Sequence, residues 1–136
     1  MDKTLDLKFA EFSKALSTLK EALDMFDLKN ILVRDATIKR FEYSYELCWK
    51  TSKVYLKEIK GEIVVGPKEC FKMLGKHGFL SPEEIEKSLN MVDDRNETTH
   101  AYGETFVQEL YPRIREYYQL MAKIHVTIEA LDEAPP

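Results

Sequence analysis

The most polar stretch of the chain is Asp93-Asp94-Arg95-Asn96-Glu97-Thr98-Thr99-His100-Ala101-Tyr102-Gly103, which holds an arginine, a histidine and a tyrosine within eight positions. An arginine can stabilise a phosphate, and a histidine near its ordinary pKa of about 6.5 can move a proton at neutral pH. These are the minimum parts for cleaving RNA without a metal. Arg95 and His100 are five residues apart, so one continuous helix would splay them by about 140°. They converge only if the helix ends between them or if a second chain supplies the partner group. A capped turn with a surface salt bridge uses the same residue types, and spacing alone leaves both readings open.

The elements that must position this stretch are helical. From Leu5 to Phe26 the apolar residues Leu5, Phe9, Phe12, Leu16, Leu19, Leu23 and Phe26 recur at alternating spacings of four and three, the stripe of a helix packed in a bundle. A second stripe, Ile38, Phe41, Tyr45, Cys48, Ser52, Tyr55 and Ile59, predicts a long helix capped at its start by Asp35 and ended near Gly61. Glu62-Ile63-Val64-Val65 is too short to found a sheet and reads as an extended connector. Pro67 and Gly78 frame a short third helix carrying Cys70, Phe71 and Leu74, with His77 at its C-terminal end. Ser81-Pro82-Glu83-Glu84 combines an N-cap serine, a first-position proline and a capping-box glutamate, and starts a fourth helix running towards Arg95. A fifth stripe runs from Phe106 through Leu110, Ile114, Tyr117, Met121, Ile124 and Ile128 to Leu131. Pro112 is expected to bend that helix, and His125 is expected at an exposed or rim position on it. The prediction is an all-α, antiparallel up-and-down bundle of four or five helices, one domain over residues 1–131 with a frayed tail at 132–136.

Composition narrows the function classes. With 136 residues, 44% hydrophobic and 32% charged, the chain is neither a long disordered segment nor a membrane-spanning one. Twenty Lys and Arg against 24 Asp and Glu give a formal net charge of −4, so any contact with RNA must come from a local patch. Cys48 and Cys70 form no CxxC pair and no Cys/His ligand set, so neither zinc nor a disulfide framework is expected. There is no GxGxxG or GxxxxGK loop, which excludes Rossmann and P-loop nucleotide binding. No cofactor or metal is expected. The amphipathic start, Met1-Asp2-Lys3-Thr4-Leu5-Asp6, lacks the apolar core of a signal peptide, and a cytoplasmic protein is expected.

Glu42 and Glu46 are four apart on helix two and share a face with Trp49 and Lys53. They can act as a carboxylate pair, or pair with Lys39, Lys50 or an arginine; Glu42 is expected to help hold Arg95.

Two segments carry a family resemblance. Arg95-Asn96-Glu97-Thr98-Thr99-His100-Ala101-Tyr102 resembles the R-x4-H-x-Y form of the HEPN signature. Arg40-Phe41-Glu42-Tyr43-Ser44-Tyr45-Glu46-Leu47-Cys48-Trp49-Lys50 resembles the RFEY-x-x-EL-x-WK helix of the nucleotidyltransferase substrate-binding proteins, a HEPN branch made beside minimal nucleotidyltransferases. The resemblance implies a homodimer of helical bundles, a cognate minimal nucleotidyltransferase as partner, and a toxin–antitoxin setting in which the HEPN member is a metal-independent ribonuclease acting on RNA. Carried over to this chain, it makes His100 the general base on the ribose 2′-hydroxyl, Arg95 the stabiliser of the phosphate and Asn96 an orienting group. Tyr102 becomes the acceptor for AMP transferred by the partner, where added bulk and negative charge two residues from His100 would block an anionic substrate. A non-catalytic adaptor for the nucleotidyltransferase needs the same arginine, histidine and tyrosine, and the sequence does not separate it from the ribonuclease. A structural helical dimer, in which the polar turn is only a cap, is the third reading.

Overall fold

The computed structural model describes residues 3–100 and 103–133. Five helices follow one another up and down: α1 (Lys3–Asp24), α2 (Ile31–Lys60), α3 (Pro67–Lys76), α4 (Pro82–Glu97) and α5 (Glu104–Glu133). There is no strand among the described residues, and residues 62–65, the connector expected between α2 and α3, carry no regular secondary structure. The sequence explains most of the boundaries. Gly61 closes α2 in the left-handed conformation (φ 68°), which a residue without a Cβ adopts at little cost, and its N–H reaches back to the Leu56 carbonyl. Gly78 does the same after α3 (φ 82°). Ser81 and Glu84 form the reciprocal capping box at the start of α4, with Pro82 in the first turn.

The long helices α1, α2 and α5 pack on one another, while α3 lies on α2 and α4, and α4 reaches α5. Their stripes meet in one core. Phe12, Leu16, Leu19 and Leu23 of α1 face Phe41, Tyr45, Cys48 and Tyr55 of α2 and Leu110, Ile114, Tyr117 and Met121 of α5. Ring contacts tie the layers together: Phe41 stacks on Tyr117 with centroids 5.6 Å apart, and Tyr55 meets Phe79 edge-on at 5.4 Å. Gly75 lets α4 sit close to α3, since a Cβ there would lie 2.3 Å from Cδ1 of Ile85.

Three expectations are corrected. The N-cap of α2 is Asn30, whose side chain accepts from the Val33 N–H, so Asp35 lies inside the helix, where it meets Arg34 at 3.2 Å. The α2 stripe ends on Leu56, which is fully buried, and Ile59 is 48% exposed, because the helix has by then passed the end of the layer it faces. His125 is half-buried, as expected of a rim position, and its ring stacks on Phe9 at 4.3 Å and meets Phe12 edge-on at 5.4 Å, in the seam between α1 and α5. Ser13 Oγ shares a 2.6 Å hydrogen bond with its Nε2 and lies 2.9 Å from the Phe9 carbonyl. Burial between these rings lowers the His125 pKa, with Glu129 opposing. Finally, α5 continues through Glu133, so the first two residues assigned to the tail are helical; Pro112 lies inside this helix. The carbonyl that Pro112 leaves without an N–H partner is that of Gln108, an exposed residue whose carbonyl water can serve.

Candidate functional site

The last turn of α4 and the turn that follows carry the R-x4-H segment. Helix α4 ends at Glu97, between Arg95 and His100, which meets one of the two conditions for their convergence. Thr98 is the C-cap, and its N–H is shared between the Asp94 and Arg95 carbonyls at 3.2 Å each. Its hydroxyl closes the turn from the other side, donating to the Arg95 carbonyl at 2.6 Å while accepting from Arg95 Nη1 at 3.0 Å. The guanidinium is thereby tied to its own helix end.

The same guanidinium is held from across the bundle by α2. Glu42 Oε2 lies 3.4 Å from Nη1 and Glu46 Oε1 lies 3.8 Å from Nε. Arg95 is 17% exposed and Glu42 20%, so this contact is only partly screened by water. Glu46 also accepts from Trp49 Nε1–H at 3.2 Å and lies 3.6 Å from Lys50 Nζ. Lys53 Nζ sits 5.8 Å from the Trp49 ring, continuing the row along the helix.

His100 and Asn96 are exposed. The Asn96 backbone carbonyl accepts from the Thr99 N–H at 3.1 Å and the Thr99 hydroxyl at 2.7 Å, while the side chains of Asn96 and His100 make no hydrogen bond to the described residues. Tyr102 lies outside the described residues. A Cβ on Gly103 would meet nothing within 4 Å among the described residues.

A second polar cluster beside the site escaped the sequence reading. Asp94 accepts two hydrogen bonds from Arg113 Nη1, at 3.1 and 3.0 Å, and one from the Tyr117 hydroxyl at 2.5 Å. Burial, followed by the Asp94 carboxylate, pushes the Tyr117 phenol well above its ordinary pKa, so it stays a proton donor. The signal was the four-residue spacing of Arg113 and Tyr117, which puts both on the face of α5 that meets α4. These residues line a groove of about 420 Å³ between the two helices, walled further by Glu83, Glu86 and Glu116. A further ion pair, Arg34 with Glu104, ties the start of α2 to the start of α5 next to the turn.

The thiols take no part. Cys48 and Cys70 are buried and reduced. Burial pushes the Cys70 thiol up to about 12 and the Cys48 thiol higher than ordinary, so neither is a thiolate at neutral pH. Among the described residues no three His, Cys, Asp or Glu side chains converge to hold a metal ion, and no helix is long and apolar enough to cross a membrane.

Comparison with proteins of known structure places this arrangement. A protein of Thermus thermophilus is 37% identical, with a TM-score of 0.81 over 86% of this chain and 98% of that one. A tri-AMPylated HEPN toxin of Shewanella oneidensis, crystallised with its MNT antitoxin, superposes with a TM-score of 0.76 at 14% identity, over 96% of this chain and 99% of that one. The MntA–HpeT toxin–antitoxin gives 0.74 at 15% identity, over 93% and 97%. At such identities the last two speak for the fold alone, which is HEPN-like. No curated protein sequence matches the chain. Residues 7–130 match the family described as "Nucleotidyltransferase substrate binding protein like", so both the RFEY-type helix and the R-x4-H turn fall inside the matched region, and the chain belongs to that family.

Proposed function

We propose that this chain is the substrate-binding partner subunit of a minimal nucleotidyltransferase in a two-component, toxin–antitoxin-like system, and that it presents the α4–α5 turn to that partner. The observation that carries the reading is the family match over residues 7–130, a span that includes that whole turn. In this reading Tyr102 is the docking and acceptor group. Its phenol oxygen attacks the α-phosphorus of ATP in the partner's active site, pyrophosphate leaves, and the phenolic proton passes to a base of the partner or to water. The magnesium that ATP carries belongs to the partner. Incubating the two proteins with ATP and Mg²⁺ and measuring the intact mass tests this: AMP additions are expected on the unsubstituted chain and none on Tyr102→Phe. Modification undiminished in Tyr102→Phe overturns the acceptor role.

A second reading, a metal-independent endoribonuclease silenced by that AMP, is favoured by the Arg95 geometry. The guanidinium is anchored by Nη1 while Nη2 makes no hydrogen bond to the described residues, which leaves a donor for a phosphate five residues before an exposed histidine. His100 would take the proton from the ribose 2′-hydroxyl, whose oxygen attacks phosphorus while the 5′-oxygen leaves and is protonated. Arg95 would stabilise the charge gathering on the phosphate oxygens, and Asn96 would orient the substrate. Cleavage that persists in EDTA and leaves a 2′,3′-cyclic phosphate is the expected result, and activity abolished by chelator counts against it. The homodimer belongs to this reading as the second way of completing the Arg95–His100 pair. Light scattering tests it, and a monomer of 15.9 kDa at micromolar concentration counts against it.

A further inference from the structure

We propose that Glu46 is a positioning residue for Arg95: its carboxylate fixes the roll of the guanidinium about its long axis, so that Nη1 stays on Glu42 and Thr98 and Nη2 faces outward. This rests on the reading in which Arg95 meets a phosphate, and it assigns Glu46 a task distinct from that of Glu42.

The nitrogens of Arg95 are served unequally. Nη1 donates to Thr98 Oγ1 at 3.0 Å and faces Glu42 Oε2 at 3.4 Å, whereas Nε is buried and has no hydrogen-bond partner. A buried guanidinium N–H without an acceptor is costly, and here one acceptor is poised beside it: Glu46 Oε1, at 3.8 Å. That distance is within ion-pair range but too long for a hydrogen bond, so a small rotation of the Glu46 carboxylate completes the bond.

The carboxylate is itself pinned at its other oxygen. Glu46 Oε2 accepts from the Trp49 indole N–H at 3.2 Å and faces Lys50 Nζ at 3.6 Å. Trp49 in turn is packed against the core. Rotation about Oε2 therefore moves Oε1 towards Nε and little else. Tyr45 adds a second reason for an acceptor at this place. Its hydroxyl is buried without a hydrogen bond, and its pKa is raised chiefly by burial and next by Glu46, with Arg95 opposing, which sets all three groups in one neighbourhood. Two carboxylates around one arginine would repel an incoming phosphate if they merely added charge. Lys50 beside Glu46 offsets one of them, so the pair acts through direction rather than through charge.

Trp49 is the single tryptophan of the chain, and its indole N–H and the Arg95 Nε–H are separate signals in a ¹⁵N NMR spectrum, the latter assigned by its loss in Arg95→Lys. In Glu46→Ala the Arg95 Nε–H is expected to exchange with water about tenfold faster or more and the Trp49 indole signal to shift, because the indole loses its acceptor and Nε loses the carboxylate poised to complete its bond. Glu46→Gln keeps an acceptor oxygen without the charge and should hold exchange near that of the unsubstituted protein. Backbone amide dispersion shows that each variant is folded, as expected for a side chain 36% exposed. Nε–H exchange in Glu46→Ala within about twofold of the unsubstituted protein overturns the assignment, and so does a Gln variant that behaves like Ala. With a short RNA in EDTA, Glu46→Ala should lower kcat about tenfold or more with KM little changed, and Gln should restore most of it. A change in KM alone argues for binding by charge and overturns the positioning role. If the unsubstituted protein cleaves no RNA, the ribonuclease reading fails, and the exchange measurement decides Glu46 on its own.

Discussion

The two ends of α4 are built by opposite means. At its start, Ser81 and Glu84 satisfy each other within one turn, at 3.2 and 2.9 Å, Pro82 fixes the backbone, and Glu84 reaches Lys123 of α5 at 2.5 Å. At its end no glycine and no left-handed residue stops the helix. Thr98 turns its hydroxyl back on Arg95, and the arginine is held by Glu42 and Glu46 of α2, two helices back in the chain. The start is closed by neighbours in sequence and exists to stop the helix from fraying. The end is closed by a charge held from afar, which leaves the following turn, with Asn96 and His100 exposed beside it, unencumbered. The reciprocal cap is at one end of a 16-residue helix and the groups proposed to be reactive are at the other.

Breaking the far end should have the larger effect, and on activity. In the ribonuclease reading, removing a general acid or base costs about 10²–10⁴-fold in rate. His100→Ala should therefore abolish nearly all RNA cleavage while changing stability by no more than about 0.5 kcal/mol, since the side chain is exposed and makes no hydrogen bond to the described residues. Arg95→Ala should lose as much activity and also lower the melting temperature, because Glu42 and Glu46 are then left facing one another without their cation. Rates on a labelled RNA set beside thermal unfolding of the same samples check both. A His100→Ala protein that cleaves normally contradicts the contrast between the two ends.

That contrast also accounts for what can be read from the sequence. The start of α4 is legible because a capping box is a pattern of four adjacent residues, and the helix stripes are legible because their period is local. The start of α2 is not, because Ile31 and Leu32, in its first turn, are apolar yet exposed; they break the periodic pattern, and Asn30 and Asp35 are equally good caps by type. The core gives no sign that His125 stacks on one phenylalanine and is met edge-on by another, since a histidine on the edge of a stripe looks the same whatever ring it meets. At the site, the R-x4-H spacing marks the segment, and the four-residue spacing of Glu42 and Glu46 puts both on one face of α2. Which nitrogen each carboxylate meets, and the Asp94, Arg113 and Tyr117 cluster, depend on how α4 lies against α2 and α5. That is set by packing across the whole core, and no local pattern encodes it.

Breaking the near end should have the smaller effect, and on stability alone. Ser81→Ala removes the acceptor for the Glu84 N–H and leaves one half of the capping box, at a cost of about 1 kcal/mol. Chemical denaturation should show the midpoint falling with the slope unchanged, and RNA cleavage or AMP acceptance should be as in the unsubstituted protein. Loss of activity in Ser81→Ala would mean that the two ends of α4 are coupled through the helix.

The finest test of the comparison uses acid. Glu84 has its pKa lowered, first by its hydrogen bond to Lys123 and next by the Ser81 backbone N–H. The folded state therefore holds the carboxylate in its charged form more tightly than the unfolded chain does. Its contribution is complete above the unfolded value of about 4.3 and is lost as pH falls through the lowered folded value, because the unfolded chain takes up the proton first. Glu84→Gln keeps the size of the side chain and much of the cap while removing the titration. Its stability should lie below that of the unsubstituted protein at neutral pH, with the gap closing as the pH falls below about 4. The gap is small, since Glu84 and Lys123 are both partly open to water and salt weakens such pairs. Thermal unfolding from pH 7 downward, for the two proteins side by side, measures it. A gap that stays constant with pH would show that Glu84 caps α4 by shape alone, and that the start of the helix draws nothing from charge.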